Sequence, residues 1–451
     1  MAKVTKKPGS SSVLSLPIVN PHAAGIDVSA TMHMVAVPAE RCVESVRQFG
    51  AFTEDLHALA GWLLQCGITT VAMESTGVYW KQLFVVLQEH GLEVSLVNAR
   101  HVKNVTGRKT DVDDARWIQK LHSCGLLRSC FLPDDSTEAL RTLVRHRKSL
   151  IEDSTRYILR MQKALEMMNI KIHSVISDIM GKTGRAIVEA IIEGERNAEN
   201  FLSYIDPRIQ ADKETLVKSL TGNWREEQLF LLKENYRLHL SVQQHIADSE
   251  QQIELMLQKQ VAVSNEGIIE PIAAEERKRK KKNKNSPDFE VEAYLQKIHR
   301  VDVTAIYGIS SGAALEILAE TGPDMSKWET EKHFISWLNL CPNNKITGGK
   351  LISSTLLNKK AGAASQAFRA AANSVQRSDH YIGDYFRRKK AKGGNKYAII
   401  ATAAKLAMIY YKMVRDKQEF TPIDKDLYLQ KYKTAKIAYL ERQLSKLKAG
   451  A

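Results

Sequence analysis

The sequence predicts an α/β domain at its N-terminal end, a long helical arm in the middle and a mainly helical C-terminal region. Three observations predict it. Short apolar runs at residues 24–28 (AGIDV), 70–74 (TVAME) and 94–97 (VSLV) alternate with amphipathic helical stretches, the pattern of an α/β layer architecture. Two later stretches, 143–168 and 229–256, carry apolar residues at near-heptad spacing on a charged background. From residue 361 onward the chain is rich in alanine and in helix-period apolar positions.

In chain order, residues 1–20 hold basic residues, a short apolar piece and Pro17, and read as a disordered tail, not a signal peptide. After the 24–28 strand, 31–37 and 43–49 alternate enough to be second and third strands of a mixed sheet. Thr53 is the expected cap of a helix with Leu56, Leu59, Trp62 and Leu63 inward; Tyr79, Leu83, Val86 and Leu87 mark the next. Thr110 is placed to cap a helix over 113–124 that ends at Gly125. Asp135 and Glu138 form a capping pair for a long helix whose seam is Leu143, Leu150, Ile151, Ile158, Met161, Leu165 and Met168. Leu229, Leu232, Tyr236, Val242, Ile246, Ile253 and Met256 repeat the period, so the two helices are expected as an antiparallel coiled-coil arm that dimerises, against the alternative of an ordinary helical bundle. RKRKKKNKN, within residues 275–287, is a basic linker. Residues 301–328 resemble a helix-hairpin-helix around Gly308, Gly312 and Ala313, with a tight helix turn as the alternative.

Charge and cysteine content narrow the class. The 451 residues carry 65 Lys+Arg against 51 Asp+Glu, a net charge of +14, which points to a polyanionic partner. Five cysteines form no CxxC pair, so no zinc site is expected and a reduced cytoplasmic setting is. No continuous run of apolar residues long enough for a bilayer span is present, and none is expected to cross one.

The stretch with the most chemistry is KTDVDDAR, Lys109 to Arg116. Asp111 and Asp114 stand three apart and so fall on neighbouring positions of one face of a helical first turn. An acidic first turn is also a common way to start any helix. Two upstream carboxylates shift the balance: Asp27 and Glu74 each close an apolar run, and a buried strand that releases an acid at its C-terminal edge is how open α/β sheets place functional groups. Four carboxylates in one cleft form a hard, all-oxygen site suited to Mg²⁺ or Mn²⁺ and to phosphodiester chemistry.

The order GIDVS, MESTGVYW, VNAR, KTDVDDAR resembles the N-terminal DEDD domain, a ribonuclease-H-like fold of RuvC type, of transposases of insertion-sequence family 110; the later CPNNKITGGK segment is most similar to subgroup 1111. The resemblance covers roughly the first and last thirds of the chain and implies a RuvC-like domain over 21–158 and a transposase domain over 292–420; between and after them the residue pattern gives a coiled-coil dimerisation arm over 159–262, a basic linker over 263–291 and a C-terminal helix over 421–451. The resemblance also implies catalytic and metal-binding roles for Asp27, Glu74, Asp111 and Asp114, and a hydroxyl nucleophile that becomes joined to a DNA end. Aligned on Pro342 and the Gly-Gly pair, that nucleophile is Thr347, where the family carries serine. Threonine offers the same hydroxyl on a stiffer, β-branched side chain. Read without the resemblance, PNNKITGGKLISS is a polar hairpin turn.

Nucleic-acid contacts are expected from Arg100 and Lys109, from Lys345, Gly348, Gly349 and Lys350 around the hydroxyl, and from Arg387, Arg388, Lys389 and Lys390, which lie among aromatic residues. The resemblance implies donor and target DNA, a non-coding guide RNA and a homo-oligomer (a dimer, or a tetramer) working at the bacterial nucleoid. Three other readings stand beside it: a RuvC-like junction nuclease that uses water, a catalytically impaired nucleic-acid-binding relative, and an actin-like kinase. The last is suggested by GIDVS and opposed by the absence of a suitable glycine-rich phosphate loop.

Overall fold

The protein is described from a computed structural model, which covers residues 17–98, 111–264, 285–357 and 361–449. The chain divides into two compact units, one ending at Leu132 and one beginning at Pro133.

The first unit is a five-stranded mixed sheet of order β3-β2-β1-β4-β5, with β1 Ala23–Val28, β2 Met32–Ala36, β3 Val46–Gly50, β4 Thr70–Glu74 and β5 Glu93–Val97. Consecutive β1, β2 and β3 pair antiparallel, whereas β4 and β5 pair parallel to β1 and to each other across helical crossovers. The central strands are almost continuously buried because helices cover both faces. On one face α1 (Thr53–Gln65) and α2 (Trp80–Glu89) lay Leu59, Leu63, Leu83 and Leu87 over Ile26, Val35, Val71 and Met73. On the other, α3 (Asp111–Ser123) seats Ile118 against Ala72 and Val97. One cap of this unit differs from expectation. Phe52, not Thr53, is the N-cap of α1, and its backbone N–H donates to Asp55 Oδ2 at 3.2 Å. The Thr110 cap lies outside the described residues.

Among its described residues the second unit is helical apart from one hairpin. The cap of α4 (Asp135–Met167) falls one residue before the expected Asp135–Glu138 capping pair: it is Asp134, whose carboxylate accepts the Thr137 N–H at 2.9 Å. It lies along α7 (Glu226–Ser264), and the contacts Ser136–Gln260, Arg147–Glu250 and Ser154–His239 make the pair antiparallel. The facing seam of α4 is Leu140, Val144, Arg147, Ile151, Ser154, Ile158, Met161 and Leu165, alternately four and three residues apart. Ile151, Ile158, Met161 and Leu165 of the expected seam recur in it, whereas Leu140, Val144, Arg147 and Ser154 stand where Leu143 and Leu150 were expected. Polar residues sit there because α7 meets them with partners: Arg147 Nε donates to Glu250 Oε1 at 2.8 Å, and Gln243 Nε2 donates to Ser154 Oγ at 2.9 Å.

At one end of this pair α5 (Lys182–Glu193) and α6 (Lys213–Leu220) close a separate apolar core with Met161, Leu165, Ile187, Ile191, Phe201 and Leu232. Nearer its N-terminal end, α4 docks on α9 (Ser311–Thr321), where Arg145 grips the buried Glu320 carboxylate with two bonds of 2.7 and 2.8 Å. The rest comprises α8 (Val291–His299), α10 (Glu331–Trp337), α11 (Ala363–Ser374), α12 (Tyr381–Asp416) and α13 (Lys425–Ala449). Phe334, Phe368, Tyr410 and Tyr411 are packed ring to ring at its centre. Among the described residues only α12 is long and apolar enough to cross a membrane. Its apolar side, Ala403, Leu406, Tyr410 and Tyr411, is buried in this core, which accounts for its composition.

Candidate functional site

Strand register sets the first two carboxylates. Ile26 of β1 is level with Met73 of β4, so one residue further on Asp27 stands beside Glu74, on strands about 4.8 Å apart. Two residues earlier on the same face lie Gly25 and Ala72. A side chain at Gly25 would collide with α3: a Cβ there falls 2.2 Å from Gln119 N and 2.6 Å from Ala115 O. Glycine therefore lets the helix lie directly on the strand, and Asp27 and Glu74 share the face that α3 covers.

The direction of α3 supplies the next step. Gln119 Nε2 donates to Ala23 O at 3.3 Å, and the His122 ring is 2.9 Å from Thr70 Oγ1, so the C-terminal half of α3 lies over the starts of β1 and β4. Its N-terminal turn is thus carried toward their ends. Asp111, the first helical residue, is four positions before Ala115, or about 6 Å of helix. Asp27 is two positions beyond Gly25, about 6.6 Å of strand, which brings it to the same level. Positions 111 and 114 fall on the stripe of Ala115, Ile118, Gln119 and His122 that meets the sheet.

Asp27, Glu74 and Asp114 are each half-buried. The side chain of Asp111 lies outside what the structure describes, as do Arg100 and Lys109. Among the described residues no three acidic, histidine or cysteine side chains are gathered closely enough to hold a metal ion. The donor chemistry and the backbone register fit a hard divalent cation; a closed set of three ligands is not formed by the described side chains.

The second segment forms a hairpin, β6 (Pro342–Thr347) and β7 (Lys350–Leu356). Gly348 and Gly349 make its two-residue turn with φ of +54° and +75°, a conformation that favours glycine at both positions. Thr347 is the last residue before the turn and pairs with Lys350; Lys345 pairs with Ser353, and a register shift follows it. All of β6 is exposed, including the Thr347 hydroxyl's residue and Lys345. The carboxylates belong to the first compact unit and Thr347 to the second.

The basic segment of α12 is more internally engaged than its sequence indicates. Arg387 donates to Gln376 O at 3.1 Å and to Ser378 O at 3.0 Å, and pairs with Asp384. Arg388 lies over the rings of Tyr428 and Tyr432, 4.7 and 3.9 Å from their centres, and fastens α13 to α12. Lys389 sits over Tyr385 and Tyr397, while Lys390 is exposed. α12 is kinked at Gly394, with φ +79°. Gly308 also has a packing reason: with φ +83°, its missing Cβ would meet Ala371 O at 2.5 Å. Ser310 Oγ accepts the Ala313 N–H at 3.3 Å, so the first turn of α9 has an internal cap.

Residues 24–170 match the DEDD model of IS110 transposases, and residues 302–387 match a model described as transposase of the IS116/IS110/IS902 family. Both the strand-end carboxylates and the hydroxyl hairpin thus fall within regions of a transposase, an enzyme that acts on DNA. No curated protein matches the chain. The two matches take in a little over half of the sequence, in order, and the chain belongs to the IS110 transposase family.

Proposed function

We propose that this transposase is an RNA-guided DNA recombinase that excises and inserts its mobile element through a covalent protein–DNA intermediate. The observation that carries the reading is the register that sets Asp27 beside Glu74 while α3 brings Asp111 and Asp114 to the same end of the sheet. The order β3-β2-β1-β4-β5, with its two antiparallel and two parallel pairings, supports a ribonuclease-H-like fold of RuvC type.

In this reading Thr347 Oγ attacks the scissile phosphorus. The Oγ–P bond forms, the P–O bond to the leaving deoxyribose oxygen breaks, the hydroxyl proton passes to a carboxylate, and the leaving oxygen takes a proton from solvent. A hydroxyl of the second DNA then attacks the phosphothreonine, joins the strands and releases Thr347. Gly348 and Gly349 let backbone approach the phosphate, and Lys345 and Lys350 counter its charge. Asp27, Glu74, Asp111 and Asp114 would hold Mg²⁺ or Mn²⁺, which when bound lowers the pKa of an attacking hydroxyl and offsets charge in the transition state.

Arg100, Lys109, Lys389 and Lys390 serve the nucleic-acid backbone, and base pairing with a guide RNA supplies sequence. Arg387 and Arg388 act there by holding α12 and α13 in place. The antiparallel α4–α7 pair is the dimerisation arm, and Thr347 is delivered to the carboxylates of another subunit in the cytoplasm. Purified protein, element RNA, Mg²⁺ and donor and target DNA should yield recombinant joints. Joints formed equally well without RNA, or by Asp114→Asn, would refute the reading. A water-using junction nuclease is the second reading, favoured by the β-branched Thr347; it predicts cleavage with no joint.

A further inference from the structure

In the second unit the ends of two helices and one loop line an open cleft of about 370 Å³ that includes none of the hairpin's residues. Its lining includes Arg300 after α8, Asp324 and Ser326 in the loop after α9, and Arg415 and Lys417 at the end of α12. Three of its four ionisable groups are cations. Arg300, Arg415 and Lys417 lie outside the residues matched by the transposase models.

Two of these cations are held at a backbone cost. Among the described residues four non-glycine residues have positive φ: Asn169, Arg300, Asn339 and Lys417. Asparagine tolerates the left-handed region through its short polar side chain; arginine and lysine have no such adaptation. Both helices that reach the cleft therefore end on a strained cation, at φ +62° and +54°, where glycine would relieve the strain. Each strained cap brings its charge to the same cleft, and the proximity of Arg300, after burial, holds the Lys417 ammonium below its ordinary pKa. The one carboxylate, Asp324, accepts the Ser326 N–H at 2.8 Å, and its charge offsets part of the effect of Arg300 on Lys417. Lys417 Nζ donates to His299 O at 3.2 Å, and Arg415 donates to Glu329 O at 2.9 Å and Tyr411 Oη at 2.8 Å, which fix the positions of the two cations, and cations still outnumber the carboxylate three to one. Backbone outliers at a cluster where cations outnumber carboxylates three to one are a ground for inferring a ligand.

We propose that the Arg300–Arg415–Lys417 cleft is a binding site for a backbone phosphate of nucleic acid, separate from the strand-exchange hairpin. The proposal rests on the chain's being a nucleic-acid recombinase, and either the guide RNA or the DNA carries the required phosphodiester.

The test uses full-length protein, a labelled single-stranded RNA and a labelled DNA duplex, with affinity followed across a salt series. Arg300→Gly and Lys417→Gly should raise the Tm by relieving strain, yet weaken binding, and each should make the dependence of log Kd on log salt shallower by about 0.7 to 0.9. Arg300→Gln and Lys417→Gln, which keep the strain, should lose the same binding, so a folding effect cannot mimic the result. Loss on RNA alone assigns the site to the guide, loss on duplex alone to DNA, and loss on both to either backbone. Unchanged affinity and slope for both probes would overturn the proposal. So would an equal loss in Lys213→Gln/Lys218→Gln on the exposed side of α6. If the wild-type chain binds neither probe, the recombinase reading itself falls.

Discussion

Gly25→Ala adds one methyl group to β1 and should disable the protein at a distance from any reacting atom. The added Cβ would lie 2.2 Å from Gln119 N, 2.6 Å from Ala115 O and 2.7 Å from Gln119 Cα. All three are backbone atoms of α3, so no rotamer change relieves the clash. Restoring an ordinary contact of about 3.4 Å requires α3 to retreat by about 1.2 Å. Overpacking of this kind costs typically about 1–3 kcal/mol, and the upper end applies where backbone must move. The first turn of α3 moves with the helix, and a misplacement of about 1 Å at a reacting centre costs on the order of 100-fold in rate. The control is Gly61→Ala, where an added Cβ meets nothing within 4 Å on a helix. Better helix propensity there should stabilise by about 1 kcal/mol. Chemical denaturation and strand-transfer rates of the two variants check both signs. A Gly25→Ala protein as stable and active as wild type would refute the seating of α3 on β1, and with it the placement of Asp111 and Asp114.

Other expectations follow from the same geometry. Glu250→Leu leaves Arg147 buried without its carboxylate and should cost about 3–5 kcal/mol, whereas the pair Arg147→Met/Glu250→Leu should recover most of that; denaturant midpoints decide, and equal losses would contradict the buried pairing. His299 is fully buried, and burial, then Lys417, lowers its pKa to about 3. It stays neutral in the fold while the unfolded chain protonates it, so its contribution is complete above about pH 6.5 and declines by up to about 1.4 kcal/mol per pH unit between there and about pH 3. His299→Gln should flatten that part of the stability–pH curve; an unchanged slope would count against it. Gly349→Val, at φ +75° in the hairpin turn, should abolish strand transfer while leaving the Tm within about 1 °C, because the hairpin is exposed and packs on little else.

Sequence patterns revealed most of the first unit because its signals are local. Apolar runs that carry Asp27 and Glu74 at or next to their ends are buried parallel strands, and period-3.6 stripes gave α1 its inward residues and α2 Leu83, Val86 and Leu87; Tyr79, expected inward, precedes α2 and is exposed because the chain turns there. What the patterns missed depends on contacts between distant segments. Arg147 and Ser154 look like surface positions until α7 brings Glu250 and Gln243 opposite them. Arg387 and Arg388 look like a free basic patch until their bonds to Gln376 and Ser378 and the rings of Tyr428 and Tyr432 are in view. Gly25 is legible in the sequence as well, because a glycine inside a buried strand marks a close approach of backbone.

The most direct measurement is covalent trapping. Protein, Mg²⁺, guide RNA and labelled DNA are incubated and denatured, and the modified peptide is mapped by mass spectrometry. The account predicts a DNA adduct on Thr347, retained in Thr347→Ser and lost in Thr347→Ala and in Asp111→Ala. Metal-dependent cleavage of the DNA with no adduct would contradict it, and the role given to Thr347 would pass to water.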